Sequence, residues 1–337
     1  GLVVGPLVAL LLLSSGIGHE LTWRLLLGFG AVPAATVVYL RSKMPESPRY
    51  RAAVQGDADR AARELASFSD GVVPQAPVVA QRHGRRRIGQ FLADRRMLRL
   101  MLGTAGTWFL FDYAYYGNTL SLPVILKEVD SHASLVAKLV WTLGIFVVFA
   151  VPGYALAVLR MDRIGHRRLQ LIGFAVMASA FLVLGAARGL TTSVLPFLAI
   201  FGLSYFFVEF GPNTTTFVLP SEVFPVNVRT TGHGIAAGIG KLGAFIGVFL
   251  VPRLMEAIGL RGMLVVAGAA SVAGLLLTCL LPEPARRGLD EVSEDGGRRP
   301  AAPELGVVRG LQADPPAPES AARAAGELDD LPAASEG

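Results

Sequence analysis

The sequence predicts an all-α integral membrane protein, and three observations carry that prediction. Hydrophobic residues make up 52% of the chain and charged residues only 17%, and mean hydropathy is +0.51. That balance is too apolar for an ordinary soluble domain. The apolar residues come in blocks of about 20, the length a helix needs to cross the roughly 30 Å hydrocarbon layer of a bilayer. The polar connections between the blocks alternate in basic content, as the positive-inside rule requires of a multi-pass topology.

Eight apolar segments follow in order, at 2–17, 22–40, 97–125, 134–159, 168–188, 191–218, 229–252 and 260–281. The first, "GLVVGPLVALLLLSSG", has no initiator Met and no basic n-region, so it does not read as a signal peptide. It reads as a helix entered near its start, and a fragment of a longer protein is expected. The connection 41–96 is a soluble insertion dense in arginine, including Arg85, Arg86, Arg87, Arg95 and Arg96. Within it, Ser47 is placed to cap a short helix with Pro48 in its first turn. "QRHGRRRIGQFLADRR" reads as a basic juxtamembrane helix with Ile88, Phe91 and Leu92 on one side and a solvated basic face near anionic lipid. The connection "RMDRIGHRR" is basic as well, whereas 18–21 and 126–133 carry little net positive charge. This places 41–96, 160–167, 219–228 and the C-terminal tail in the cytoplasm. The tail, 283–337, is rich in Ala, Pro, Glu, Asp and Gly and buries too little apolar surface to order itself.

Several functions are excluded early. Cys279 is the only cysteine, so no intrachain disulfide forms. The net charge of +5 and the pI near 9.6 belong to cytoplasmic loops rather than to a nucleic-acid surface. No metal-ligand spacing occurs, at His233 or elsewhere, and no GxSxG, HExxH or phosphate-binding Walker loop is present. No enzyme, metal or cofactor is therefore expected.

The candidate site begins with a carboxylate among oily neighbours. Trp108, Asp112 and Tyr116 are spaced by four, so on a helix they drift only about 40° per step and share a face. A charged side chain at membrane depth costs roughly 2.5–3.5 kcal/mol on insertion scales, which implies a polar cavity. A protonated carboxyl group donates a hydrogen bond to an oxyanion and an ionised one repels it, so one residue can couple proton and anion occupancy. Packing against a neighbouring helix would satisfy Asp112 without any such role. A second polar stripe, Tyr205, Glu209, Asn213 and Thr216, is spaced four, four and three. Gly211 and Pro212 loosen the backbone there and free groups to line a cavity, although such residues also serve as glue between helices. Lys241 stands well inside the seventh segment, where it can attract an anion, pair with a carboxylate, or snorkel to the membrane surface. The glycines around it, Gly238, Gly240, Gly243 and Gly247, read as a close-packing face rather than a phosphate cradle.

Three pieces of the chain, "WRLLLGFGAVPAATVVYLRSKMPESPRY", "DRIGHRR" and "FGPNTTTFVLPSEVFPVNVRTTGHGIAAGIGKLGAFIG", together resemble the major facilitator superfamily over residues 1 to 290. The third piece, taken with Trp108, Asp112 and Tyr116, resembles its phosphate:proton symporter branch. The resemblance implies a monomeric secondary transporter in the cell (inner) membrane that moves a small solute, inorganic phosphate first among candidates, with protons. It divides the chain into the last two helices of an N-terminal half (1–40), a central cytoplasmic loop (41–96), a C-terminal six-helix bundle (97–282) and the tail (283–337). Matched in this way, the chain starts at the fifth of twelve helices, and transport by it alone is not expected. The implied substrate contacts are Trp108, Asp112, Tyr116, Asn213 and Lys241. Proton coupling falls to Asp112 and Glu209, and gating to Asp162, Arg163 and Arg167. The sequence departs from the family pattern: the loop motif has His166 where Arg is usual and lacks the leading glycine, and Glu209 stands where eukaryotic phosphate carriers tend to have Asn. A sugar or an organic or aromatic acid is the alternative substrate class, and a transporter-like nutrient sensor the alternative role.

Overall fold

The computed structural model describes residues 3–43, 57–68, 94–287 and 292, all within one unit, Gly1–Asp295. Every regular element among them is helical: α1 (Val4–Ser14), α2 (His19–Ser42), α3 (Ala58–Phe68), α4 (Arg95–Leu120), α5 (Leu122–Val129), α6 (Leu135–Ile145), a π turn (Phe146–Ala150), α7 (Val151–Ile164), α8 (His166–Ala186), α9 (Arg188–Thr191), α10 (Val194–Phe210), α11 (Pro212–Val223) and α12 (Arg229–Thr278). Ser47, Pro48, most of the basic juxtamembrane stretch and nearly all of the tail lie outside the described residues.

Among the described residues, five helices are long and apolar enough to cross a membrane: Glu20–Ser42, Leu135–Ile164, His166–Ala186, Val194–Val223 and Arg229–Thr278. The last is two arms joined at Gly259, whose φ of 73° and ψ of 171° are not helical. Its 50 residues cover about 75 Å of helix, enough for two crossings once the chain turns. The turn therefore sits at one glycine, and the expected loop at 253–259 is helical up to it. Val4–Ser14 has 11 residues, about 16 Å of rise, and is short of a crossing. Arg95–Leu120 has 26, about 39 Å, and it is the helix that holds Asp112.

Local chemistry sets the remaining boundaries. Asp94 accepts a hydrogen bond from the Arg96 N–H at 2.9 Å and starts α4. The expected single segment 97–125 breaks at Ser121, because Pro123 in the first turn of α5 has no N–H to continue the ladder. In the fourth apolar segment, Pro152 likewise lacks a donor, and the Val151 N–H bonds Phe146 O instead, widening the helix into a π turn. Asp57 accepts from the Arg60 N–H at 3.1 Å and caps α3.

The core lies between α4, α8, α10 and both arms of α12. Trp108, Phe111, Phe174, Phe181, Phe197, Phe201 and Tyr205 are fully buried there. Gln170 and Thr278 join α8 to the second arm of α12 at 2.9 Å, and the Thr215 hydroxyl donates to Gln170 at 2.8 Å. The first arm of α12 lies directly on α4. A Cβ on Gly243 or Gly247 would collide with the carbonyl oxygens of Phe109 and Tyr113, and one on Gly240 with the Trp108 indole. These three glycines form the packing face expected of them, while a Cβ on Gly238 would meet nothing within 4 Å. By contrast, α1 and α2 expose most of their large apolar side chains, among them Leu11, Leu27, Val32 and Val38.

Candidate functional site

The close approach of α12 to α4 brings a lysine to the buried carboxylate. Asp112 is 1% exposed, and Lys241 Nζ donates to its Oδ2 at 3.0 Å. The same ammonium lies 4.7 Å from the centre of the Tyr116 ring. Lys241 thus pairs with the carboxylate rather than snorkelling away from it. Asp112 Oδ1 and Trp108 Nε1 are buried without a hydrogen-bond partner. One acceptor and one donor are therefore left open four residues apart on the same helix face, which a bare packing role does not explain. Trp108 itself is held edge-on by Phe217 at 4.7 Å and by His233 at 5.6 Å. Since Phe217 follows Asn213 by one helical turn, the α11 face that carries Asn213 meets the α4 face that carries Trp108.

The second polar stripe forms its own cluster around Glu209, which is 5% exposed. The Tyr115 hydroxyl donates to Glu209 Oε1 at 2.8 Å. The Asn213 amide donates to Oε2 at 2.6 Å. The Thr214 hydroxyl donates to the Glu209 carbonyl at 2.8 Å across the break at Gly211. Tyr205 meets Thr119 at 2.7 Å. The Thr216 hydroxyl bonds back to Pro212 O at 2.8 Å and stays within its own helix. The two clusters touch through the rings of Tyr115 and Tyr116, whose centres are 5.2 Å apart. Sequence spacing missed Tyr115, because only the residues four apart from Asp112 were placed on its face. The run of tyrosines at 113, 115 and 116 is the signal that could have found it.

The residues expected to gate, Asp162, Arg163 and Arg167, lie around a third cluster, at the ends of α7, α8, α11 and α12. Its centre is the buried imidazole of His166. Nδ1 is 2.6 Å from Glu222 and Nε2 is 3.4 Å from Asp162. Arg167 donates to Cys279 O at 3.2 Å. Arg163 contributes its carbonyl oxygen, and Arg286 donates to it at 3.4 Å and to Asp162 O at 3.2 Å. Glu283 closes the cluster. Its carboxylate accepts from the N–H groups of His166 at 2.8 Å, Arg167 at 3.4 Å and Arg168 at 3.2 Å. A carboxylate at that position satisfies orphan donors and complements the helix dipole. Glu283→Ala is expected to cost about 1–2 kcal/mol of stability, read as a lowered unfolding temperature in detergent. An unchanged temperature would show that the cap contributes nothing.

Among the described residues no group of His, Cys, Asp or Glu is arranged to hold a metal ion. The geometry suits a small polar solute: a lysine balanced by one carboxylate, a second buried carboxylate without a paired cation among the described residues, and amide, hydroxyl and indole groups between them.

Comparison with known proteins agrees. Residues 1–295 match the family model described as sugar (and other) transporter. Among curated proteins, the chain is 33% identical over 316 residues to inorganic phosphate transporter 1-6 of Oryza sativa subsp. japonica, covering 84% of this chain and 58% of that protein. It is 33% identical over 304 residues to the repressible high-affinity phosphate permease of Neurospora crassa, covering 80% of this chain and 53% of that one. The low affinity inorganic phosphate transporter 8 of Medicago truncatula is 34% identical over 316 residues, with 81% and 56% covered. The chain thus spans a little over half the length of these relatives. Among solved structures, a double-tryptophan mutant of XylE superposes with a TM-score of 0.63 at 20% identity, covering 86% of this chain and 63% of that one. The chain is a multi-pass membrane protein and belongs to the sugar (and other) transporter family of the major facilitator superfamily.

Proposed function

We propose that this chain forms the C-terminal part of a carrier that moves inorganic phosphate together with protons by alternating access. Residues 97–282 supply its C-terminal six-helix bundle and 1–40 the last two helices of the other half, with 41–96 and the tail 283–337 in the cytoplasm of a cell bounded by the inner membrane in which a monomer sits. The observation that carries the reading is the pairing of Asp112 with Lys241 beside Tyr116. An ionised Asp112 neutralises Lys241 and opposes an anion. A protonated Asp112 releases that ammonium to the anion and becomes a donor itself. Proton and anion then enter together. Asn213, on a helix that starts at a backbone break, approaches the solute from the opposite side. Asp162, Arg163 and Arg167 close the cytoplasmic end through the cluster around His166. Relatives named as phosphate transporters in a plant and a fungus support phosphate as the solute.

The test is ligand-dependent thermal stabilisation of the full-length protein with phosphate, arsenate, sugars and carboxylic acids, followed by uptake into proteoliposomes under a proton gradient. Stabilisation by a sugar alone would overturn phosphate. Binding without counterflow would favour a sensor. Within this reading, Tyr116→Phe and Asn213→Ala each remove one polar contact worth on the order of 1–3 kcal/mol. Phosphate affinity is expected to fall by about 5- to 150-fold at every pH, with the pH dependence retained.

A further inference from the structure

The third cluster is built around a titratable group that the carrier reading leaves unused. His166 opens α8, and Gly165 before it, at a φ of 106°, turns the chain back from the end of α7. The imidazole is buried, with its side chain 5% exposed, and both ring nitrogens face carboxylates from other helices. Glu222 of α11 lies 2.6 Å from Nδ1, and Asp162 of α7 lies 3.4 Å from Nε2. A third carboxylate, Glu283 beyond the end of α12, accepts from the His166 backbone N–H at 2.8 Å. The arginines turn elsewhere: Arg167 donates to Cys279 O, Arg286 donates to the carbonyl oxygens of Asp162 and Arg163, and Arg168 enters through its N–H. In none of these contacts does a guanidinium meet Glu222. A neutral imidazole has one N–H and one bare nitrogen. It can donate to Glu222 or to Asp162 but not to both, and its bare nitrogen is then left facing a carboxylate oxygen. The imidazolium donates to both. The two contacts are unequal. The Asp162 side chain is 88% exposed and water screens its pair, whereas Glu222 is 22% exposed. Protonation therefore acts mainly at Glu222, where it turns a hydrogen bond from a neutral ring into a charge-assisted ion pair.

We infer that His166 is a second proton-binding site, separate from Asp112, whose imidazolium clasps the ends of α11 and α7 to the start of α8. The clasp goes beyond the carrier reading and stands without it. Where the chain works as a carrier, the clasp makes the hold at this end, where the residues expected to gate are gathered, depend on the pH of the compartment it faces. Asp112 stands on α4 and takes no part in these contacts, so the two protons bind in different places. The direction follows from the partners. The folded cluster holds the charged ring through carboxylates, so the clasp is present at low pH. It is lost as the pH rises through the range in which an imidazole changes charge, about pH 5 to 8.

The test is hydrogen exchange of the full-length protein in phosphate-free detergent solution, read by mass spectrometry at about pH 5.5 and about pH 8.5. Wild type is compared with His166→Gln at the same pH, so the intrinsic pH dependence of exchange cancels. Glutamine keeps one N–H toward Glu222 and cannot take up a charge. At the lower pH, peptides from the end of α11 and the start of α8 are expected to exchange about fivefold more slowly in the wild type. At the higher pH the two proteins should agree within about twofold. Glu222→Gln is the second variant should His166→Gln not fold, and it should give the same pattern. With Asp112→Asn added to both proteins, the difference due to His166 is expected to persist. A difference of equal size at both pH values would mean that His166 only packs. No difference at either pH would mean that the ring holds no proton that matters to the helix ends. Loss of the difference with Asp112→Asn would mean that the proton belongs to the Asp112 site. Each of these results overturns the inference, and none bears on phosphate binding by the full-length protein, which is where the carrier reading stands or falls.

Discussion

Asp112→Asn in the full-length protein is expected to retain phosphate binding and to lose uphill uptake altogether. Asparagine keeps the shape of the side chain and a donor toward an oxyanion, but it has no charge to gain or lose. In the wild type Asp112 is buried on α4 with Lys241 3.0 Å away, so the lysine is available to an anion only when the carboxylate is not using it. Anion binding and protonation of Asp112 are then two faces of one event. Where one proton accompanies the anion, wild-type affinity should strengthen by up to about tenfold for each unit that the pH falls. In Asp112→Asn the lysine is free at every pH, so the same plot should be flat. The imposed proton gradient then has nothing to act on, and accumulation should drop to the level of empty liposomes. Downhill exchange should persist. If proton-driven accumulation survived, Asp112 would be a packing residue, and Glu209 would take its place as the leading proton site.

The sequence announced some of this and hid the rest, for reasons visible in particular residues. The lengths of the apolar runs located α2, α8 and α10 because a membrane-spanning helix must satisfy its backbone internally, and its length is set by the bilayer. Within-helix geometry was equally legible: the spacing of Trp108, Asp112 and Tyr116 needs only the helical period. Breaks were less so. Pro152 and Pro123 are plain in the sequence, yet one widens a helix into a π turn and the other ends it, and the difference depends on which neighbouring carbonyl finds a donor. Gly259 carries the whole reversal of α12, which no apolar average reveals. Pairings across the fold were the hardest. Asp112 and Lys241 are 129 positions apart, and Tyr115 and Glu209 are 94. No period connects them; the glycine face at 240, 243 and 247 does, by letting α12 touch α4. In the cluster around His166 the reading stopped at charges within one loop. Glu222 and Glu283 come from distant helix ends, and His166, noted only as a departure from pattern, proves to be the residue they surround.

Lys241→Met should be the most damaging single change in the central cluster, for stability and for binding alike. It preserves the unbranched apolar stem and removes the ammonium. Asp112 is then left as a carboxylate that is 1% exposed, with one oxygen that already lacks a partner and a second that has just lost one. Breaking one side of a buried ion pair costs about 3–5 kcal/mol, mostly as the penalty on the charge that remains. The Lys241 side chain is itself 54% exposed, so solvent softens the effect and about 3 kcal/mol is the reasonable expectation. Anion affinity should fall by about 100-fold or more, because a charge-assisted donor is lost while the repelling carboxylate stays. The double substitution separates the two losses. Adding Asp112→Asn to Lys241→Met removes the stranded charge, so thermal stability should return to within about 1 kcal/mol of wild type. Phosphate affinity should not return, since no cation stands in the cluster. Additive destabilisation in the double variant would mean that the two residues do not act as a pair. Restored binding would mean that the lysine serves only to keep Asp112 folded, and that the anion is held elsewhere.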